Sequence, residues 1–207
     1  MAATRRKKSA YHHGNLGPAL LDAALQLLER HGHEALSLRE VARLAGPFGM
    51  RVSAIRKRAD APAPEGVDEV LPPERLPELL ANSDVVVLSA PLTRETRGLI
   101  GAREVAQMKR GALLVNIGRG ALVDQDAVCD LLDGGKLSGA VLDVFTPEPI
   151  QPGHRLWTTQ NLIISPHTAA DDPNTYNARS LDLFFDNLRA WREGRPMPNL
   201  FDPTRGY

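Results

Sequence analysis

Short apolar segments, separated by helical or polar stretches, constrain the fold of this chain more than any other feature. In order, they are MRVSAI, DVVVLSA (Asp84 to Ala90), ALLVNI (Ala112 to Ile117), GAVLDVF (Gly139 to Phe145) and NLIIS (Asn161 to Ser165). Each segment is continuously apolar and rich in branched side chains, as are strands buried on both faces of a parallel sheet. Helical stretches lie between most of them: PERLPELLAN, GAREVAQM and DQDAVCDLLDGG. This alternation predicts an α/β, doubly wound parallel sheet, followed by a long helix from about Asp172 to Glu193.

The first 46 residues have a different pattern, that of amphipathic helices. Apolar side chains recur there at helical spacing, at Leu20, Leu21, Ala24, Leu27 and Leu28. Ser37 followed by Glu40 forms a capping-box pattern that predicts the start of a second helix, LREVARLA. Helix, short turn and capped short helix are the front of a helix-turn-helix. We therefore predict two domains, a helical one over residues 1–46 and an α/β one over residues 47–207.

Composition excludes several classes of protein. The 25 Lys and Arg residues balance the 25 Asp and Glu residues, so no overall field attracts nucleic acid or an anionic membrane. The single cysteine, Cys129, precludes an internal disulfide and favours a reducing compartment, so we expect a cytoplasmic protein. No apolar run approaches the ~20 residues that cross a bilayer. Asp22 interrupts the N-terminal apolar stretch, so a secretory signal peptide is not expected either.

Three chemically useful side chains follow the last three predicted strands. ALLVNI leads into Arg119, GAVLDVF into Glu148 and NLIIS into His167. Ligands of an open parallel sheet bind beyond the carboxyl ends of its strands. There a guanidinium can hold a carboxylate with two hydrogen bonds, and an imidazole oriented by a carboxylate can pass a proton. Taken singly, each residue also has a plain structural explanation, as a surface cap, a solvated charge or a hydrogen-bonded histidine. Together they favour hydride chemistry on a 2-oxo acid.

The same segments resemble a known enzyme family. MKRGALLVNIGRGALVDQDAV, LSGAVLDVFTPEPI and LWTTQNLIISPHTAA are similar to the D-isomer-specific 2-hydroxyacid dehydrogenases, as are most of residues 47–207. The resemblance implies an NAD(P)-dependent oxidoreductase that acts on CH–OH donors, with a small 2-oxo or 2-hydroxy acid as substrate, and a homodimer. It places the catalytic residues at Arg119, Glu148 and His167. It places the cofactor contacts at Ala90, Ile117, Gly118, Asp143 and Ala170.

Two features bear on the cofactor. The segment MRVSAI is followed by Arg56, Lys57 and Arg58, where an acidic residue would bind the ribose hydroxyls of NAD, so the charge favours NADP. An exposed basic turn is the alternative explanation. The glycine fingerprint G-x-G-x-x-G, which carries the pyrophosphate, is absent from the sequence. We therefore expect a dinucleotide fold that lacks its first strand and glycine loop. The strands beside the gap should either pair with each other or leave two edges open, and nucleotide binding should be weak or absent.

The N-terminal part has a resemblance of its own. YHHGNLGPALLDAALQLLERHGHEALSLREVARLAG is similar to the opening of a TetR-type repressor, but PFGMRV replaces the recognition helix that would enter the major groove. This pattern predicts a fusion of a truncated repressor headpiece with a truncated dehydrogenase. Two further functions therefore stand beside the oxidoreductase: a DNA-binding regulator and an inactive fusion remnant. We expect no metal site, because His12, His13, His31 and His33 fit solvated or phosphate-facing positions better.

Overall fold

A computed structural model describes residues 45–57, 59–60, 62–168, 176–200 and 203. Several predictions lie outside these residues: residues 1–44 of the predicted headpiece over residues 1–46, Arg58 and the cofactor contact Ala170. The chain divides into two compact units. One comprises Met1–Val52 and Pro64–Asp68, and the other comprises Ser53–Ala63 and Glu69–Tyr207.

In the first unit, the described residues include a short 3-10 helix, Gly46–Phe48, which follows Ala45. Gly49 ends it in the left-handed conformation, at φ 72°, which glycine adopts without steric cost. The chain then runs extended, and Val52 exchanges two hydrogen bonds with Asp68: its N–H donates to Oδ2 (2.7 Å) and its carbonyl accepts the Asp68 N–H (2.8 Å). Of the predicted strand MRVSAI, only its last three residues form a strand, and they belong to the second unit.

The second unit contains two parallel sheets. The smaller one pairs β1 (Ser53–Ile55) with β2 (Glu69–Leu71). The larger one has the order β3-β4-β5-β6. Its strands are β3 (Val85–Leu88), β4 (Ala112–Asn116), β5 (Leu137–Leu142) and β6 (Leu162–Ile164). The predicted α/β class with a parallel sheet is confirmed, and β2 is a strand that the sequence did not reveal.

Four α-helices accompany these strands in the described residues. They are α1 (Leu76–Asn82), α2 (Ala102–Gln107), α3 (Gln125–Asp133) and α4 (Tyr176–Arg192). Three further 3-10 helices, Pro73–Arg75, Gly120–Leu122 and Arg155–Trp157, lie in the connections. Asp124 caps α3 by accepting the N–H of Ala127, a favourable residue at that position. In the part of the chain that the structure describes, no helix combines the length and apolar character that a bilayer crossing requires.

The core lies between α1–α3 and one face of the larger sheet. Alternate strand residues point to this side and are buried together with one or more apolar residues from each helix. They form one cluster that includes Val86, Leu114, Ala140, Leu80, Val105 and Val128. The helices and this strand face fix the sheet, so the loops at its carboxyl edge have a rigid base.

The described strands are interrupted where the first strand of a dinucleotide fold would lie. Within the described ranges, β1 pairs only with β2 and β3 pairs only with β4. In the usual strand order, the missing strand stands between these two. The strands that flank the gap do not pair with each other, so the described sheets stay separate.

Candidate active site

The segment that carries Arg119 is a tight turn directly after β4. Gly118 and Gly120 flank the arginine, and neither position has room for a side chain. A Cβ on Gly118 would lie 2.9 Å from the Ala90 carbonyl oxygen, and a Cβ on Gly120 would lie 2.1 Å from the Phe145 carbonyl carbon. The turn therefore lies against the segments that follow β3 and β5. Arg119 itself is exposed, and its Nη1 donates to the Gly118 carbonyl (2.7 Å).

Asn116, which the sequence analysis did not single out, organises this turn. It is the last residue of β4 and is buried. Its Nδ2 donates to the Arg119 carbonyl (3.0 Å) and its Oδ1 accepts the N–H of Gly118 (3.1 Å). A buried amide with both ends satisfied holds the backbone in one arrangement. The sequence signal that could have revealed Asn116 is a polar residue at the end of an otherwise apolar strand.

Glu148 lies in the loop that follows β5. The side chain of Gln125 ties this loop to α3, donating to the Thr146 carbonyl and accepting the Thr146 N–H, both at 2.9 Å. Glu148 Oε1 accepts the N–H of Phe145 at 2.7 Å. That hydrogen bond is the largest cause that holds the pKa of Glu148 below its ordinary value, against the opposing effect of partial burial. Smaller contributions that lower this pKa come from His167 and from the positive charge of Arg119.

His167 lies in a turn after β6 that is fastened to Asp143. The buried Asp143 carboxylate accepts two hydrogen bonds through Oδ1, from the Ser165 hydroxyl (2.7 Å) and from the Thr168 N–H (2.9 Å). Between these two attachments, His167 has a positive φ of 56° and donates its N–H to the Ser165 carbonyl. A left-handed backbone at a non-glycine residue persists where the surroundings impose it, often at functional sites. Asp143, predicted as a cofactor contact, is thus engaged with the turn that presents His167.

Glu148 and His167 form a pair at the carboxyl edge of the sheet. Their Oε2 and Nδ1 atoms are 2.9 Å apart, and both side chains are partly exposed. Because a lowered pKa keeps Glu148 ionised, its oxygens can only accept, so the Nδ1 of His167 carries the hydrogen. The other ring nitrogen, Nε2, is then left to exchange a proton with a ligand. The electrostatic effect of Arg119 on Glu148 places the third predicted residue in the same neighbourhood.

An open pocket of about 500 Å³ adjoins Arg119 at the ends of β3 and β4. Its lining contains three predicted cofactor contacts, Ala90, Ile117 and Gly118, together with Ser89, Pro91 and Leu92. Backbone at strand ends, with one cationic side chain at the border of the pocket, can hold a planar polar ring. These described residues fit the nicotinamide end of a dinucleotide. The sequence offers no glycine loop for the pyrophosphate.

The basic segment after β1 is only partly as the sequence predicted. Arg56 is half-buried, and its Nη2 donates to the Pro62 carbonyl (3.2 Å). Lys57 is exposed and lies 3.6 Å from Glu95, so a carboxylate that is distant in the sequence compensates part of this positive charge. Of the two described cations in this segment, Lys57 therefore has part of its charge compensated, and contact of Arg56 with a cofactor stays a prediction.

Comparison with known proteins identifies the family of this chain. Residues 39–169, more than half of the chain, match the family described as "D-isomer specific 2-hydroxyacid dehydrogenase, NAD binding domain". This chain belongs to that family. The match begins inside the segment LREVARLA, ahead of the domain boundary predicted at residue 47.

Several relatives are named glyoxylate reductase or glyoxylate reductase/hydroxypyruvate reductase. The glyoxylate reductase of Korarchaeum cryptofilum is 42% identical over 163 residues, which cover 77% of this chain and 47% of the relative. The chain spans about half the length of the curated relatives it matches.

Two solved structures extend the comparison. An NADPH-dependent glyoxylate/hydroxypyruvate reductase from Sinorhizobium meliloti, solved with NADP and sulfate, superposes with a TM-score of 0.74 at 27% identity. The match covers 93% of this chain and 66% of that one. A D-isomer specific 2-hydroxyacid dehydrogenase from Xanthobacter autotrophicus, in complex with NADPH and MES, gives a TM-score of 0.67 at 30% identity, with coverage of 94% and 91%.

Proposed function

We propose that this chain reduces a small 2-oxo acid, such as glyoxylate or hydroxypyruvate, to the D-2-hydroxy acid with NAD(P)H. The 2.9 Å pairing of Glu148 with His167, at the edge where ligands of parallel sheets bind, carries this proposal. The family and the names of its reductase members support the substrate class.

Each residue of the site has a role that follows from its chemistry. When bound, the nicotinamide supplies the hydride for the carbonyl carbon. Arg119 holds the substrate carboxylate, because its planar fork matches two carboxylate oxygens. His167 gives the proton on Nε2 to the substrate oxygen. Glu148 keeps the ring oriented through Nδ1 and stabilises its positive charge before the proton is transferred.

The test is oxidation of NADPH by the full chain with glyoxylate, compared with a His167→Asn variant. We expect turnover that falls by about 10²–10⁴-fold in the variant, because the proton donor is lost. His154→Asn is the matched control. His154 caps the 3-10 helix Arg155–Trp157 through Nδ1, and asparagine can accept the same N–H. No turnover, or equal rates in His167→Asn and the wild type, would refute the proposal.

NADP is the cofactor that the charge of Arg56 favours, and this too is a proposal. The Arg56→Asp variant should shift the ratio of the kcat/KM values for NADPH and NADH toward NADH, because a carboxylate binds ribose hydroxyls and repels a 2′-phosphate. Arg103→Asp is the control, because Arg103 is well exposed and pairs with Glu104 at the start of α2. An unchanged ratio in Arg56→Asp would remove this assignment.

A repressor-type headpiece in residues 1–46 stays a prediction, as do the inactive remnant and the cytoplasmic location. Titration of the full chain into labelled duplex DNA tests the headpiece. Sequence-independent binding that weakens steeply with salt is the expected result, because the basic arm Thr4 to Lys8 can contact phosphates. Selection of one sequence over others would contradict the prediction that the base-reading element is missing.

A further inference from the structure

The loop that carries Glu148 has little packing of its own. Residues 146–149 are exposed, whereas Phe145 just before them is buried. A loop that buries few apolar atoms depends on its hydrogen bonds for a fixed path. The position of Glu148 therefore depends on the groups that bind this loop.

Gln125, the first residue of α3, binds the loop from another element. Its Nε2 donates to the Thr146 carbonyl and its Oε1 accepts the Thr146 N–H, both at 2.9 Å. Two bonds to one residue fix the direction of the backbone as well as its distance. A carboxamide can make both because it carries a donor and an acceptor on separate atoms, whereas an ionised carboxylate only accepts.

Helix α3 gives Gln125 a fixed base. The helix buries four residues, Ala127, Val128, Cys129 and Leu132. Asp124 caps its first turn by accepting the N–H of Ala127 (3.1 Å), directly before Gln125. Because closely packed side chains resist displacement, the first turn of α3 holds Gln125 in place, and Gln125 in turn holds the loop.

The same short segment of chain carries Arg119 and Gln125. Between them, the Ile100 N–H donates to the Leu122 carbonyl (3.0 Å), and the Asp124 N–H donates to the Ile100 carbonyl (2.9 Å). Ile100 and Leu122 are both buried. The residue that binds the loop and the residue proposed to hold the substrate carboxylate therefore share one rigid base.

We propose that Gln125 is a positioning residue, which fixes Thr146 and thereby keeps the Glu148 carboxylate against the Nδ1 of His167. Pro147 alone separates Thr146 from Glu148, and Glu148 Oε2 lies 2.9 Å from His167 Nδ1. Without that acceptor, a protonated imidazole can lose its proton from either nitrogen, whereas transfer to the substrate needs loss from Nε2. The catalytic consequence rests on the proposed function, but the positioning is a property of the chain without ligands.

The tautomer of His167 tests this positioning without any turnover. Gln125→Ala removes both hydrogen bonds to Thr146. Gln125→Glu has nearly the same shape, but its ionised carboxylate cannot donate to the Thr146 carbonyl. Nitrogen-15 NMR of the full chain at about pH 9, above the range in which imidazoles titrate, distinguishes a hydrogen on Nδ1 from one on Nε2. The spectrum of His167→Asn assigns the signals.

The wild type should have the hydrogen of neutral His167 mainly on Nδ1. In Gln125→Ala, the ratio of the Nδ1–H form to the Nε2–H form should fall about tenfold, which is the effect of losing roughly one hydrogen bond. The ratio should also fall in Gln125→Glu, in which two oxygen atoms face each other. Far-UV circular dichroism checks that each variant folds, and Gln125→Glu carries the test if Gln125→Ala does not fold.

Two controls accompany these variants. His154 is an internal reference with the opposite tautomer, because its Nδ1 accepts the Leu156 N–H (3.2 Å) and its hydrogen must lie on Nε2. Its signals should be the same in every sample. Gln160→Ala removes a carboxamide from an exposed position just before β6 and should leave the tautomer of His167 unchanged.

Kinetics add a second measurement. In glyoxylate reduction, kcat of Gln125→Ala should fall about tenfold, while KM for glyoxylate changes less than about twofold because Arg119 is intact. A wild type with the His167 hydrogen mainly on Nε2 would overturn the proposal. So would an unchanged tautomer in Gln125→Ala, even with a loss of stability, since Gln125 would then have a structural role alone. A chain that oxidises no NADPH, but whose His167 tautomer responds to both Gln125 variants, would support the positioning and refute the reductase.

Discussion

At the scale of single residues, close backbone approach at Gly120 helps to position the candidate site. Gly120 brings the Arg119 turn against the backbone of Phe145, and Phe145 in turn donates its N–H to Glu148. The loop that presents Glu148 and the loop that presents Arg119 are therefore positioned against each other. A change at this glycine should affect both.

Gly120→Ala should lower the free energy of unfolding by about 3 kcal/mol, because a Cβ 2.1 Å from the Phe145 carbonyl carbon forces backbone to move. Chemical denaturation measures this loss. Gly134→Ala is the control: Gly134 has a helical φ of −77°, and its added Cβ would lie 3.1 Å from the Asp130 carbonyl oxygen. We expect it to be neutral or slightly stabilising. Equal stability of Gly120→Ala and Gly134→Ala would contradict this packing.

Glu148 should make the free energy of unfolding depend on pH. Its pKa is held below the ordinary value, chiefly by the Phe145 N–H, so its contribution is present above about pH 4.3, the unfolded value. That contribution is lost as the pH falls through the lower folded pKa. Since Glu148 is 38% exposed, solvent screening keeps it below about 1 kcal/mol. The difference in unfolding free energy between the wild type and Glu148→Gln should thus shrink from pH 6 toward pH 3, by about that amount. A difference that grows on acidification would have the wrong sign.

At the scale of elements, one buried carboxylate connects the end of β5 to the turn after β6. Asp143→Ala removes the acceptor of both the Ser165 hydroxyl and the Thr168 N–H, so we expect a loss of about 2–3 kcal/mol in unfolding free energy. Asp143→Asn should lose less, because the amide oxygen still accepts. Equal losses in thermal or chemical unfolding would show that the negative charge of Asp143, rather than its acceptor geometry, stabilises this turn.

The elements also show what a sequence can and cannot reveal. The sequence could predict that three residues, Arg119, Glu148 and His167, are neighbours, because parallel strands bring their carboxyl ends to one edge. Strand β2 was not, since Glu69–Leu71 is only three residues long and begins with a charge. The roles of Asn116 and Gln125 were hidden because each depends on contacts with a loop whose path only the fold determines. The Lys57–Glu95 pair was missed for the same reason, and it weakens a charge argument made from three adjacent cations.

At the scale of the whole molecule, the residues proposed to contact the dinucleotide lie beside two separate sheets. The proposed nicotinamide contacts Ala90, Ile117 and Gly118 line the pocket at the ends of β3 and β4, in the larger sheet. The proposed ribose contact Arg56 follows β1, in the smaller sheet. In an intact fold, the first strand and its glycine loop join these two sheets and bind the pyrophosphate at a helix N-terminus. Here the sequence contains no such loop.

The chain should therefore bind NADPH, but weakly. A ligand present at its own Kd stabilises by about 0.4 kcal/mol, and one at 100 times its Kd by about 2.7 kcal/mol. We expect 1 mM NADPH to give no more than the smaller stabilisation, because the charges of the pyrophosphate lack their backbone partners. Thermal unfolding with NADPH, with NADH and with sodium sulfate at equal ionic strength separates specific binding from salt effects. Stabilisation near the larger value would mean that some other part of the chain replaces the loop. Such tight binding would also allow a low KM for NADPH in the proposed reductase reaction. Weak binding instead implies a high KM.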